Sequence, residues 1–203
     1  MNWLSQARRG AATVGFAFFV SACLAVGPGV AAASPTPSLS HVVLEQSLAG
    51  FTLVPGTAYN GPIPKSDLDK YSDDAAWQQD VADGQLTGFI RAWSHQYQRG
   101  LAFVYWSALR LPDTSYASQF TSTMEAFVAK QTGPRSIAVT GVTGATGFRT
   151  SPPVQIGRAT GYWIIFTRGT IGFFLYAVGP PRTLTTAQLV GLARQQASHR
   201  SAG

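Results

Sequence analysis

Cysteine is almost absent from this sequence, in which Cys23 is the only one among 203 residues. A lone cysteine excludes an internal disulfide framework and a cysteine-based zinc site. Charged residues are also scarce, at 12% of the chain, whereas aromatic residues make up another 12%. Disordered chains have many charges and few aromatic side chains, so this composition predicts a folded domain with a substantial core.

The sequence also lacks a concentrated run of basic residues. Its net charge is +6, but Arg8 and Arg9 lie in the N-terminal segment and the other basic residues are scattered singly. Nucleic-acid-binding proteins usually gather lysine and arginine in a stripe or patch. The spacing therefore argues against nucleic acid as a partner.

Catalytic and metal-binding motifs are missing as well. The histidines His41, His95 and His199 are too far apart for a helical metal-binding pair, and no G-x-S-x-G motif occurs. The carboxylates between residues 67 and 83 lack calcium-loop spacing and are interpreted as helix caps and a solvated helix surface. We therefore predict no catalytic residue, metal ligand or cofactor. A Ser–His–acid site is defined by geometry, so a secreted hydrolase with His95 as base stays open as the alternative.

The N-terminal segment has the pattern of an export signal. Arg8 and Arg9 precede an apolar stretch over residues 11–26, and three alanines end at Ala33. A positive region, an apolar region and small residues before the cleavage site define a signal peptide. We predict a signal peptide over residues 1–33, cleavage after Ala33, and a secreted or extracytoplasmic protein.

Two alternatives to cleavage after Ala33 remain. Residues 20–22 followed by Cys23 match the pattern of a lipoprotein signal, although the residues after Cys23 stay apolar. Lipidation at Cys23 would hold the domain at the membrane surface. An uncleaved anchor is the other alternative, but the apolar stretch is shorter than the roughly 20 residues that span a bilayer. Membrane contact is thus expected only through the signal segment or a lipid anchor.

The rest of the chain is predicted to be a disordered lead over residues 34–41 and a single α+β domain over residues 42–203. Segments with strand-like composition or apolar and polar alternation are 51–54, 86–94, 101–110, 137–142, 147–150, 154–167 and 171–178. Residues 60–64 are predicted as a loop, and Arg168-Gly169 as the turn of the final hairpin. The expected fold is an antiparallel sheet of about five to six strands that helices pack against.

Helices are expected on both faces of this sheet, because both faces of the strand 101–110 are apolar. Residues 67–81 are predicted to be helical in one or two pieces, with Ser66-Asp67 and Ser72-Asp73 as candidate N-caps. A second is predicted over 114–130, where apolar residues recur at helical spacing and include Phe120. A third should begin at Thr185, which has capping-box spacing to Gln188.

Several segments resemble a known group of proteins. They are "LTGFIRAW" followed by "LAFVYW", then "GATGFRTSPPVQIGRATGYWIIFTRGTIGFFLYAVG", and finally "LVGLARQQASHR". This arrangement resembles small exported proteins and lipoproteins of mycobacteria and related actinobacteria, which are similar to the PsbP-like fold. The resemblance implies an antiparallel sheet sandwiched between helices. It implies no site residues, because most members have no assigned function.

The surplus of aromatic residues is the one feature that points to a ligand. Aromatic and basic residues share the predicted strands, and a candidate binding surface consists of Trp93, Trp106, Trp163, Arg91 and Arg110. An aromatic groove with a few arginines would suit a lipid, a glycan or a peptide. The alternative is that these aromatic residues form the core. The sequence thus predicts an exported, non-catalytic binding or accessory domain whose partner is an envelope lipid, a glycan or another exported protein.

Overall fold

The computed structural model describes residues 38–152 and 159–199. Within these ranges the chain has an eight-stranded sheet made of β1 Thr52–Leu53, β2 Asn60–Pro62, β3 Thr87–Tyr97, β4 Gly100–Arg110, β5 Arg135–Ser136, β6 Thr146–Thr150, β7 Thr160–Arg168 and β8 Ile171–Gly179. The α-helices are α1 Lys65–Leu68, α2 Ala75–Asp83, α3 Thr114–Ala129 and α4 Thr186–Ser198. The predicted signal peptide, its cleavage site and Cys23 lie outside the described residues.

The sheet is antiparallel throughout, in the order β1-β3-β4-β8-β7-β6-β5, with β2 also paired to β3. This confirms the predicted α+β class, although the sheet has eight strands where about five to six were expected. The central strand β4 is buried on both faces, since Trp106 and Leu109 point to opposite sides and both have 0% of their surface exposed. Such a strand requires packing elements on both sides, and the helices provide them.

Two separate apolar clusters lie on the two sides of the sheet. On the side that we call the α3 face, Phe120, Met124 and Val128 of α3 pack on the sheet together with α1 and α2. On the opposite side, the α4 face, Leu189 and Leu192 of α4 are buried against the sheet. The apolar stripe predicted for the helix over 114–130 is therefore confirmed, and the sheet separates the two apolar clusters.

Capping residues determine where the two long helices begin. Asp113 accepts a hydrogen bond from the Tyr116 N–H at 2.8 Å, which satisfies one of the free donors in the first turn of α3. The side chain of Thr185 accepts from the Gln188 N–H while Gln188 Oε1 accepts from the Thr185 N–H, so the predicted capping box is present.

Residues 137–142 were predicted as a strand, and this prediction is wrong. The strand in this region is β5, which ends at Ser136, and the chain then leaves the sheet edge as a loop that includes Gly141. Gly141 has a φ of +80°, which interrupts an extended conformation. Ile137 and Val139 of this loop pack on the α4-face cluster. Alternating apolar residues therefore do not distinguish a strand from a loop that packs on the core.

Smaller corrections concern the strand and helix ends. Asn60–Pro62, expected within a loop, form the edge strand β2, and Pro62 is tolerated there because it pairs on one side only. The short helices start after Pro64 and Asp74, not after Ser66 and Ser72. Between β7 and β8 the two-residue loop is Gly169-Thr170, one residue later than predicted, with Gly169 at a φ of +58°.

The N-terminal end of the described chain is ordered where a disordered lead was expected. Leu39–His41 form a 3-10 helix, and Leu39 belongs to the α4-face cluster together with Val43, which is fully buried. Burial of two apolar side chains compensates the entropy lost on ordering this segment. The folded part of the protein thus begins before residue 42.

Candidate functional site

The three tryptophans of the predicted binding surface lie in the core. Trp93, Trp106 and Trp163 expose 3%, 0% and 1% of their surface. Trp93 and Trp106 belong to the α4-face cluster, whereas Trp163 belongs to the α3-face cluster. The predicted surface is corrected accordingly, because residues on opposite sides of a sheet cannot line one groove.

Arg91, which was predicted to line the same surface, has a structural role. Its Nη1 donates hydrogen bonds to the carbonyls of Val43 and Leu44, both at 2.9 Å, and its Nε donates to Asn60 at 3.2 Å. Burial lowers the pKa of Arg91, and the nearby charge of Glu45 opposes that shift. Arg91 therefore holds the N-terminal segment against the sheet.

Arg110, the other arginine of that surface, is the last residue of β4. It pairs with Thr87 on one side and with Ile171 on the other, and its side chain is half-buried. Arg91 pairs with Trp106, which precedes Arg110 by four residues on β4, so the two arginines lie four strand positions apart. The structure does not bring these two arginines together.

A groove lies where the C-terminal turns of α4 meet the end of β7 and the loop over residues 137–145. Its volume is about 310 Å³, and it is lined by Gly141, Val142, Thr143, Phe166, Thr167, Arg168, Arg194, Ala197 and Ser198. We call it the arginine groove. Its floor is apolar, because Val142 and Phe166 are buried members of the α4-face cluster. Its rim is polar and basic.

Arg194 is positioned by the loop that crosses in front of α4. Its Nε donates to the carbonyl of Thr140 at 2.7 Å, and its Nη2 donates to the Thr140 hydroxyl. Gly141 has a φ of +80°, which favours glycine, and a Cβ there would lie 2.7 Å from Arg194 Nε. The loop thus directs the guanidinium towards the groove.

Arg168 enters the groove from the end of β7. Its Nη1 donates to the carbonyls of Ala197, at 3.3 Å, and His199. Cations are favourable beside these last carbonyls of a helix, where the macrodipole is negative. The guanidinium carbon also lies 5.6 Å from the centroid of the Phe173 ring. These contacts fix the side chain while its Nη2 stays without a hydrogen bond to any described residue.

The groove is suited to an acidic ligand. Each guanidinium has five N–H donors, and the contacts described above use only two on each arginine. The hydroxyls of Thr143 and Thr167 add further donors, and none of the lining residues is acidic. Arginine binds carboxylates and phosphates with paired, charge-assisted hydrogen bonds. Free guanidinium donors of this kind match the acceptor geometry of a phosphate or carboxylate.

His95, the candidate base of the hydrolase alternative, is engaged elsewhere. Its Nδ1 lies 2.6 Å from the carbonyl oxygen of Gly50, and its ring contacts Phe51 and Tyr97. Its hydrogen-bond partner in the described chain is thus a main-chain group and not a serine or a carboxylate. The described residues also hold no group of three histidine, cysteine or acidic side chains that could bind a metal ion.

The arginine groove was missed at the level of the sequence, although a signal was present. After Glu125 the chain has eight lysine and arginine residues and no aspartate or glutamate. The basic residues of this stretch are scattered singly, so the signal is the absence of acidic residues among them. Arg168 and Arg194 belong to this acid-free stretch, which explains why no carboxylate neutralises them in the groove.

Comparisons with known proteins give one distant structural similarity. No protein-family model matches the chain. No curated protein matches it either. Among solved structures, the extracellular domain of PknH from Mycobacterium tuberculosis is similar, with a TM-score of 0.41 and 10% identity over 70% of this chain and 80% of that chain. A likeness at this level carries no argument about ligand or partner, and the PsbP-like assignment stays a prediction. In the described ranges no helix has both the length and the apolar character that a membrane span needs.

Proposed function

We propose that this protein is an exported, non-catalytic domain that binds an acidic ligand in the arginine groove. The observation that carries the proposal is the convergence of Arg168 and Arg194 on one apolar-floored groove that contains no carboxylate. Two guanidinium groups with donors left over are an unfavourable arrangement unless an anion or water neutralises and solvates them. The ligand chemistry is a phosphate or carboxylate attached to an apolar group that can contact Val142 and Phe166.

Export is the second part of the proposal, and it is supported by the sequence. Arg8 and Arg9, the apolar residues 11–26 and the small residues before Ser34 form the order of a signal peptide. The resemblance to small exported actinobacterial proteins supports the same location. The ligand would then be an acidic component of the envelope, such as a lipid headgroup, an acidic glycan or an acidic segment of another exported protein.

Inorganic phosphate is the simplest probe of the groove. Phosphate is added stepwise and binding is monitored by two-dimensional NMR. We expect the amide signals of Thr143, Thr167 and Ser198 to shift, because these residues line the groove. Arg194→Gln should weaken phosphate binding by about tenfold, which corresponds to the loss of one hydrogen bond to a charged group. The core should stay folded, because Arg194 is exposed, and the loss of its two hydrogen bonds to Thr140 should affect only the loop beside it.

The matched control is Arg99→Gln, which removes the same charge from an exposed position in the turn between β3 and β4. It should leave phosphate binding unchanged, since exposed charges that far away are screened. Chloride at the same ionic strength should not reproduce the shifts. Equal weakening by both substitutions, or shifts spread evenly over the surface, would overturn the proposal.

A further inference from the structure

Acidic and basic residues lie on different faces of the sheet. Eight of the nine acidic residues lie on α1, α2 and α3 or in the turns that border them. These elements cover the α3 face. The ion pairs of the described chain, Lys70–Asp67 at 2.6 Å and Lys130–Asp73 at 3.1 Å, also lie on that side. Lysines thus accompany the acidic side, while the other side has few carboxylates.

The α4 side carries a pair of exposed arginines. Arg135 pairs with Arg149 across β5 and β6, and Arg149 pairs with Tyr162, whose side chain belongs to the α4-face cluster. Cross-strand partners point to the same side of a sheet, so both arginines project on the α4 side, and both are exposed. Like charges directly opposite each other destabilise a sheet. An anion bound between the two guanidinium groups would offset this repulsion.

The N-terminal segment also reaches the α4 face. Leu39 packs in the α4-face cluster, and the carbonyl of His41 lies 3.2 Å from His199 Nε2, just beyond the end of α4. Ser198, one residue earlier, lines the arginine groove. The 37 residues before Ser38, including the apolar residues 11–26, are therefore joined to the domain on the side that contains the groove.

We propose that the α4 face docks on a membrane surface that contains acidic phospholipids, with a headgroup phosphate in the arginine groove. The proposal rests on the export and the groove proposed above, and adds the surface and the partner. Charge complementarity selects an anionic surface, and in the precursor, before cleavage after Ala33, the N-terminal segment joins the domain on the same face. Basic clusters next to a membrane attachment are typically attracted to acidic lipids.

Vesicle flotation of the full chain tests this docking. Vesicles of phosphatidylcholine alone are compared with vesicles in which about one third of the lipid is phosphatidylglycerol, so that any contribution of residues 11–26 is present in both. We expect tighter binding to the acidic vesicles, and a steep loss of the difference as salt is raised. Changing both Arg135→Gln and Arg149→Gln should reduce the preference for acidic vesicles by about 25-fold, at roughly fivefold per arginine near the surface.

The matched control is the double variant Lys65→Gln and Lys130→Gln, which removes the same charge from exposed positions on the α3 side. It should keep the preference for acidic vesicles, and Arg135→Lys with Arg149→Lys should keep it too, because lysine retains the charge. Equal losses in both double variants would mean that net charge alone acts, and would overturn the proposal. So would an absent lipid preference, or tighter binding to a DNA duplex than to acidic vesicles.

The two proposals fail separately. Arg135 and Arg149 do not line the arginine groove, so their substitution should leave the phosphate shifts of Thr143 and Ser198 intact. Phosphate shifts without any preference for acidic vesicles would retain the groove and remove the membrane. The opposite result is a preference for acidic vesicles that depends on Arg135 and Arg149, with no phosphate shifts. It would support the docking face and reject phosphate binding in the groove.

Discussion

Phe120 is the side chain on which the packing of α3 against the sheet most clearly depends. It exposes 1% of its surface, and its ring covers Gly172 of β8 so closely that a Cβ there would lie 2.7 Å from the ring. Glycine at this position makes room for the phenyl ring. The pair therefore sets the distance between helix and sheet.

Truncation of this ring should be costly. We expect Phe120→Ala to lower the free energy of unfolding by about 3–5 kcal/mol, because it removes apolar contacts and leaves a cavity over Gly172. Urea denaturation measures the change. Gln119→Ala, at the exposed neighbouring position of the same helix, is the control and should change stability by less than about 0.5 kcal/mol. A loss below about 1 kcal/mol for Phe120→Ala would contradict the packing described here.

The burial of Phe120 could be predicted from the sequence, whereas that of the tryptophans could not. Phe120, Met124 and Val128 recur at helical spacing, which by itself defines a face. Trp93, Trp106 and Trp163 lie on strands whose two faces are both apolar, so alternation does not tell which tryptophans are exposed. That information comes from the strand order and from the helices above each face.

The helix α4 holds the N-terminal residues of the described chain in place. Gln196 of this helix is fully buried. Its Nε2 donates to the Val42 carbonyl at 2.7 Å, and its Oε1 accepts from the Leu44 N–H at 3.0 Å. One side chain thus satisfies two main-chain groups that would otherwise be buried without partners.

Loss of this amide should loosen the N-terminal segment specifically. We expect Gln196→Leu to destabilise the protein by about 1–3 kcal/mol, because the Val42 carbonyl and the Leu44 N–H lose their hydrogen bonds. Hydrogen exchange at the Leu44 amide should accelerate. The control is Gln195→Leu, at the exposed neighbouring position, which should leave both quantities unchanged. Unchanged exchange at Leu44 in Gln196→Leu would contradict the role given to this side chain.

Elements with an explicit start signal were predictable, and those without one were not. Asp113 and Thr185 mark the beginnings of α3 and α4, and both helices lie where the sequence indicates. The strand β2 has no such signal, because Gly61 and Pro62 are typical of turns. The strand β2 forms because it pairs with the edge of β3 at residues 89–91. Such tertiary pairing overrides local preference.

At the scale of the whole molecule, the sheet separates charge as well as apolar clusters. The sequence shows that acidic residues end at Glu125, but not on which face of a sheet each half of the chain will lie. The fold places most of the acidic residues and the arginines of the groove on opposite faces of the sheet. It does so through the strand order β3-β4-β8-β7-β6-β5, with α1–α3 on one face and α4 on the other. The candidate site follows from that arrangement, which is why sequence patterns alone did not reveal it.

The packing of the N-terminal segment limits where a signal peptide can be cleaved without loss of core residues. Leu39 and Val43 are buried, and Arg91 and Gln196 bind the main chain around them, so a cut after Leu39 or later in this segment would remove part of the core. Cleavage after Ala33 leaves five residues before Leu39 and spares every one of these contacts. We therefore expect a mature protein that begins at Ser34.

Intact-mass measurement of the protein from the culture supernatant checks this expectation, with a single species that starts at Ser34 as the result. Ala33→Lys is the informative variant, because signal peptidase requires a small residue there and the precursor should accumulate. Cys23→Ser is the matched control and should leave the mature mass unchanged, since Cys23 lies in the removed segment. A species that lacks residues 1–22 and has a diacylglycerol-sized addition at Cys23 would show that the protein is lipid-anchored instead. The α4 face would then be held at the membrane by a covalent lipid, on a tether of 15 residues between Cys23 and Leu39.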